Sequence, residues 1–401
     1  MLTSLHRYLQ RHQVDGKRLG EGSFAPDLIV VMPCYDEAQL GTTIAALSQA
    51  DRQGLKIELI VVVNSGENSP LRVKEQNRRS YDDLQAYPSD EAFRISPILL
   101  ENVRKKHAGV GYARKVGMDL AVWRYAQSGQ VQGPIVSLDA DTLVASNYFQ
   151  EIYRCFQRQP RLYGLILDFE HRLDAEADAE AIAHYELHLR YVNQALKYAG
   201  FPYVHHTIGS AFAVSAQAYV RHGGMNRRQG GEDFYFLHKL FPHGLFEELH
   251  TSCVYPSSRP SQRVPFGTGP QVLAYRQSHR LDTYRLSAFD VLRQFIAQVP
   301  DLYQERPSIA EPMRRFLESI GFASKLEEIR ANAASKETFI KRFFAFFDAF
   351  QVVKFLNFAH QEYWTKNDVK EEAAQLLKRL GKASDDDVVS LLSAYRKIEG
   401  R

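Results

Sequence analysis

The hydrophobic pattern has two textures along the chain. Through about residue 260, short continuous apolar runs alternate with segments whose apolar positions recur at helical spacing. "DLIVVMPC", "KIELIVVV", "ISPILL", "PIVSL" and "LYGLILDF" show no in-and-out alternation. Such runs predict strands buried on both faces. With helical patterns between them, they predict an α/β fold: a mainly parallel, Rossmann-like sheet with helices on both faces. The helical pieces are an amphipathic segment over about 38–53, a polar, partly helical stretch over about 66–94, and "GVGYARKVGMDLAVWRYA", where a glycine turn opens a helix. From about residue 271 only helices are predicted.

In that second part, "KETFIKRFFAFFDAFQVVKFLNFAHQEYW" is aromatic on most sides, with Asp348, Gln351, Lys354 and Asn357 as a narrow polar stripe. This predicts one largely buried helix. Its cations are not gathered on one face, which favours the core of a helical domain over a lipid-facing surface. "DVKEEAAQLLKRLG" and "SDDDVVSLLSAYRKI" read as two capped helices, Gly381 stopping one and Ser384 starting the next. The expected division is an N-terminal helical extension over 1–26, an α/β domain over 27–270 and an α-helical C-terminal domain over 271–401.

Composition narrows the class. The 401 residues are 45% hydrophobic and 24% charged, as in ordinary globular proteins. A formal net charge of only +3 gives no reason to expect a nucleic-acid partner. Cys34, Cys155 and Cys253 are odd in number, far apart and without zinc-site spacing, which fits a reducing compartment. No signal-peptide pattern and no transmembrane segment is evident. The expected setting is cytoplasmic, with peripheral attachment to a membrane left open.

The candidate chemistry lies at the strand tips. "IVSLDADTLV" ends an apolar run in Asp139 and Asp141. Ligands of parallel sheets bind at the carboxyl ends of the strands, where Tyr35–Glu37, Asn64 and Asp139–Asp141 would collect. Two carboxylates at a strand end repel each other and lose hydration unless something compensates. Mg²⁺ or Mn²⁺, which takes one or two carboxylates plus phosphate oxygens, would do so; a pair of turn-forming aspartates is the alternative. A second acidic pair, Glu232 and Asp233, follows Gly230 and Gly231 and opens a helical pattern. By contrast, Asp385 and Asp387 read as simple complements to a helix dipole.

Taken in order, "VVMPCYDE", Asn64, "HAGVGYARKVGMDLA", "SLDADT" and "GSAFAVSAQAYVRHGGMNRRQGGEDFYF" resemble the family 2 nucleotide-sugar-dependent glycosyltransferases of the GT-A fold, over about residues 27–260. The resemblance implies a nucleoside pocket lined by Pro33, Tyr35 and Glu37, with Asn64 near the base. It implies that Gly109 and Gly111 let the backbone approach and that Arg114 meets the nucleotide or its phosphates. Asp139 would contact ribose and, through the metal, the diphosphate; Asp141 would be the firmer metal ligand. Asp233 would be the general base, Glu232 would orient an acceptor hydroxyl, and Gly209 and Ser210 would shape the acceptor side, with His205 and His206 as lining candidates.

The implied activity moves a sugar from a nucleoside diphosphate sugar to an acceptor with a free hydroxyl, which could be a small molecule, a glycan or a lipid-linked one. The family's tryptophan motif of polymer-making members is not evident after Asp233, which favours transfer of a single sugar. An extra metal-binding histidine found in some relatives has no clear counterpart beyond His250. "YPSSRPSQRVPFGTGP", with Arg259 and Arg263, reads equally as a lid over the diphosphate or as a linker. Inversion is expected. A retaining enzyme on the same fold, a sugar-phosphate nucleotidyltransferase and a non-catalytic nucleotide-sugar-binding protein remain alternatives.

Overall fold

The computed structural model describes residues 2–19, 24–173, 178–260 and 267–400. They form two compact units that interleave along the chain. The α/β unit comprises the described residues of 2–172 and 207–258; the helical unit comprises those of 173–206, 259–260 and 267–400. A single cut near residue 270 therefore does not describe the division.

In chain order the elements begin with α1 (Leu2–His12), β1 (Leu28–Cys34), α2 (Leu40–Gln49), β2 (Ile57–Gly66) and α3 (Leu71–Ala86). β3 (Phe93–Val103), α4 (Val110–Ser128), β4 (Pro134–Ser137), β5 (Leu143–Val144) and α5 (Tyr148–Arg158) follow. Then come β6 (Leu162–Phe169), α6 (Ala179–Tyr198) of the helical unit, β7 (Phe212–Ser215), α7 (Ala216–Arg221), α8 (Glu232–Leu240) and β8 (Leu245–Tyr255). The eight strands form one sheet in the order β3-β2-β1-β4-β7-β6-β8-β5. β1, β2, β3, β4, β6 and β8 run one way, and β7 and β5 run against them. The expected α/β fold with a mainly parallel sheet is present.

The continuous apolar runs become its centre. Every residue of β1 and β2 is buried, and each large aliphatic side chain so placed contributes about 1.5–3 kcal/mol. Right-handed crossovers put α2 and α3, which lead from β1 towards β3, on one face and α4, which returns to β4, on the other. Gly129, at φ +76°, stops α4 in the left-handed conformation glycine favours. A carboxylate sits inside this apolar centre: Glu58 of β2 accepts two bonds from Arg124 of α4, at 2.8 and 2.9 Å, and one from Ser96 of β3 at 2.7 Å. That bidentate pairing offsets the cost of burying the charge.

The segment expected to be a separate N-terminal extension belongs to this unit. Tyr8 of α1 and Tyr219 of α7 each donate to Asp119 Oδ1 at 2.7 Å, and Lys115 donates to Asp119 Oδ2 at 2.8 Å. All three cysteines are buried, and none forms a disulfide.

In the helical unit, the single long aromatic helix expected around 336–364 is two, Lys336–Phe346 and Ala349–Glu362. Asp348, assigned from the pattern to a polar stripe, instead caps the second by accepting from the Gln351 N–H at 3.0 Å. The last helix, Val388–Ile398, starts at Asp387 rather than Ser384, with the Asp387 carboxylate accepting from the N–H groups of Val389 and Ser390. Among the described residues, no helix is long and apolar enough to cross a membrane.

Candidate active site

The strand order reverses at β1. Its own connection leads to β2 on one side, while its other neighbour, β4, continues into the rest of the sheet. In parallel sheets the crevice at such a switch point is where ligands bind, beyond the carboxyl ends of the strands. Tyr35–Glu37 leave β1 there, and Asp139–Asp141 leave β4.

One side chain organises the edge. Arg114, on the first turns of α4, is 2% exposed and aims its guanidinium at the end of β4. It donates to Asp139 Oδ1 at 2.9 Å, to Glu232 Oε1 at 3.1 Å and to the Gly209 carbonyl at 2.9 Å, and it also bonds Ser137 Oγ. Ser137 donates to the same Gly209 carbonyl at 2.7 Å. Gly209 reaches this edge because β7 is antiparallel to β4, with Ser137 opposite Phe212, so the loop before β7 arrives where β4 ends. Three segments remote in sequence thus meet on one guanidinium. The donors of this guanidinium serve the protein's own acceptors.

The second acidic pair sits in the same cluster. Gly231, at φ +66°, turns the chain into α8, which opens with Glu232 and Asp233. Glu232 is buried, and Asp233 is half-buried. Asp233 Oδ1 accepts from the Phe234 N–H at 2.8 Å. Burial, then the neighbouring Glu232 charge, push the Asp233 carboxyl up to about 7, against the pull of Arg114. Arg114 is held above its ordinary value despite burial, by Asp139, Glu232 and Asp233 in that order. One guanidinium faces three carboxylates, so the cluster carries excess negative charge.

The glycines have a clear physical reason. A Cβ on Gly111 would lie 2.4 Å from the Arg228 carbonyl oxygen and 2.9 Å from Glu232 Cβ; one on Gly109 would lie 2.7 Å from Gln229 Cα. The backbone that approaches them is the 226–232 loop of the same chain. These glycines let that loop press on the start of α4 and deliver Glu232 to Arg114.

The remaining predicted residues collect at the same edge, each with a structural tie. Pro33 is buried within β1 opposite Val62. Tyr35 is half-buried. Glu37 is buried and accepts from the Gln39 N–H at 3.0 Å. Between them Asp36, at φ +49°, forms a two-pronged ion pair with Arg72 of α3. Asn64 is buried at the end of β2; its amide reaches the Gly109 carbonyl at 3.5 Å, and its carbonyl accepts from Asn77 at 2.9 Å. Ser65 and Thr142, the latter closing "SLDADT", are buried beside Asn64 and Asp141 with hydroxyl oxygens that lack a partner among the described residues. Each sits among polar strand-tip residues, and burial without a partner is what marks them.

The donor set suits a hard divalent cation. Asp139 keeps its second carboxylate oxygen outside the Arg114 contact and is 37% exposed at its side chain, and Asp141 is half-buried on the same turn. The excess charge of the cluster, with oxygen-only ligands, fits Mg²⁺ or Mn²⁺ completed by phosphate oxygens and water. Among the described residues no group of three or more His, Cys, Asp or Glu side chains is arranged to hold a metal by itself. His250 of β8 pairs with Asp168 of β6 at 3.0 Å. Arg259 is half-buried; Arg263 lies outside the described residues.

No family model matches the chain, and no curated protein matches it. Among solved structures, S. aureus TarS residues 1–349 in complex with UDP is similar at TM-score 0.36 and 11% identity, covering 72% of this chain and 82% of that one. A second S. aureus TarS structure is similar at TM-score 0.34 and 11% identity, covering 70% and 49%.

Proposed function

We propose that the chain is a metal-dependent glycosyltransferase of the GT-A kind. It would move a single sugar from a nucleoside diphosphate sugar to an acceptor hydroxyl, with inversion. The observation that carries this reading is the joining, by one buried Arg114, of the Asp139 turn and the Glu232–Asp233 turn at the switch point of the sheet. Donor-side and acceptor-side carboxylates are then neighbours, as transfer between two bound substrates requires.

Attack by a hydroxyl needs its proton removed as the bond to the anomeric carbon forms. Asp233, half-buried and raised to about 7, is matched to that task near neutral pH. Glu232, tied to Arg114, orients the acceptor side. Arg114 holds Asp139 in place and keeps the carboxylates from repelling one another apart. Asp139 and Asp141 would hold the cation, which when bound neutralises charge on the departing diphosphate.

A thermal-shift panel of nucleoside diphosphate sugars, with and without Mn²⁺, tests the reading. One donor should raise Tm in the presence of Mn²⁺, by ligand linkage, and Asp141→Ala should lose the metal-dependent part of that rise. Absence of stabilisation by any donor under either condition would refute the assignment.

A further inference from the structure

We propose that the acceptor carries phosphate groups and is held by a cationic rim built from two loops beside the carboxylate cluster. The proposal rests on the glycosyltransferase reading of the site and adds the class of its acceptor. Arg104, Lys105 and Lys106 follow β3, and Arg227 and Arg228 lie on the loop that leads to Asp233; all five are exposed. The chain's formal net charge is +3, so without these five cations it would be −2 (3 minus 5). Five of the chain's 50 Lys and Arg residues are gathered in these two loops.

The two loops form one surface. Gln229 Nε2 donates to the Lys105 carbonyl at 2.7 Å, and Gly109 is packed against the Gln229 backbone. The His107 imidazole between them is held below its ordinary value by burial first, then by Lys106, Arg227 and Arg104, which places those charges around one ring. Arg228 stacks over Tyr235 at 3.6 Å, and Arg227 lies 5.9 Å from the Tyr112 ring centre. These contacts orient the guanidinium groups along the rim. Neighbouring cations at this edge have carboxylate partners: Arg72 with Asp36, Arg78 with Glu101, and Arg114 with Asp139 and Glu232. Among the described residues, the five rim cations form no ion pair of that kind.

Glu67 Oε1 accepts from the Lys105 N–H at 3.0 Å and offsets part of this charge; the remaining like charges repel one another, and a polyanion relieves that repulsion. The rim's second loop ends in Asp233, so an anionic molecule lying on it would present its hydroxyls towards the proposed base. A membrane surface is the weaker fit. Among the described residues the exposed large apolar side chains are Leu71, Leu245, Phe350 and Val389, and none lies in either loop, whereas membrane-surface binding draws on an apolar face as well as charge.

The test titrates fluorescently labelled short-chain inorganic polyphosphate against four full-length proteins. These are the wild type, Arg227→Gln, the triple variant Arg104→Gln/Lys106→Gln/Arg227→Gln, and a control, Lys341→Gln/Arg342→Gln, which removes two exposed charges of the helical unit. The wild type should bind with an affinity that falls as salt rises. The single variant should bind more weakly and the triple variant roughly tenfold or more weakly still, with the control unchanged.

Equal loss in the control and the triple variant, or no binding by the wild type, would overturn the rim. Rim-dependent binding to phosphatidylglycerol vesicles but not to polyphosphate would overturn it in favour of a membrane surface. Nucleoside diphosphate with Mn²⁺ is titrated in parallel. Its failure alone counts against the donor site, and loss of polyphosphate binding alone counts against the rim.

Discussion

At Asp233 two effects of opposite sign meet. The start of α8 favours a charged carboxylate through the helix dipole, while burial and the adjacent Glu232 favour the protonated form. The second pair of effects wins, and the carboxyl rises to about 7. Two consequences follow at this residue. Activity should rise with pH through an apparent value near 7, and Asp233→Asn should lower kcat by about 10²–10⁴, the usual worth of general-base assistance, with donor affinity nearly unchanged. Stability should move the other way. A carboxyl raised in the folded state contributes most below its unfolded value and loses that contribution as pH rises through its folded value. Asp233→Asn should therefore be more stable than the wild type above pH 7, with the gap closing towards pH 4. Transfer rates and denaturation measured across this range check both halves; a variant that transfers normally, or yields the donor's own anomer, removes Asp233 as base of an inverting reaction.

The elements matter through what they bring together. α4 contributes Arg114 from its first turns, the loop before β7 brings Gly209 because β7 runs against β4, and α8 contributes Glu232 because its preceding loop can lie on two glycines. Gly111→Ala should push back the Arg228 carbonyl, which an added Cβ would meet at 2.4 Å. The expected cost is about 1–3 kcal/mol, together with loss of transfer as Glu232 leaves Arg114. Gly41→Ala, in α2 with nothing within 4 Å of the added carbon, should instead stabilise by about 0.5–1 kcal/mol. Urea denaturation of both variants gives the comparison, and equal effects would show that the loop contact has no special role.

On the scale of the whole molecule, each unit carries its own buried charge network. In the helical unit, Arg396 and Arg190 both bind Glu186, and Arg190 also pairs with Glu399. Glu399 accepts further bonds from Gln194 at 3.0 Å and meets His206 at 3.1 Å. Burial opposes its ionisation, but His206, Arg190 and Gln194 outweigh that and hold the carboxyl down to about 2. A depressed carboxyl contributes stability above its unfolded value of about 4.5 and loses it as pH falls through about 2. Over that interval the contribution amounts to about 3 kcal/mol. Glu399→Gln should be less stable than the wild type at pH 7, with the difference shrinking between pH 4.5 and 2 in acid denaturation. A difference independent of pH would mean that the residue acts by packing alone.

The apolar runs determined β1–β4 and β6, and the polar residues that end them determined which positions reach the carboxyl edge; β5, β7 and β8, the last carrying Glu247, Glu248 and His250, were not among those runs. Both are local signals: a strand buried on both faces is largely apolar, and a charge stands where the strand leaves the core unless, like Glu58, it has a buried partner. The Gly-Gly-Glu-Asp turn was legible for the same reason. The tertiary structure alone decided that Asp139 is paired with Arg114, that Gly109 and Gly111 face the chain's own loop, and that Asp348 begins a helix instead of lying within one. It also decided that 178–206 joins the C-terminal helices, and that residues 2–12 belong to the α/β unit. The partner of a buried charge is set by which segments pack against it, and Arg114 finds its acceptors 23, 25, 95 and 118 positions away. Periodicity records whether a side chain is buried; only packing in three dimensions chooses its partner.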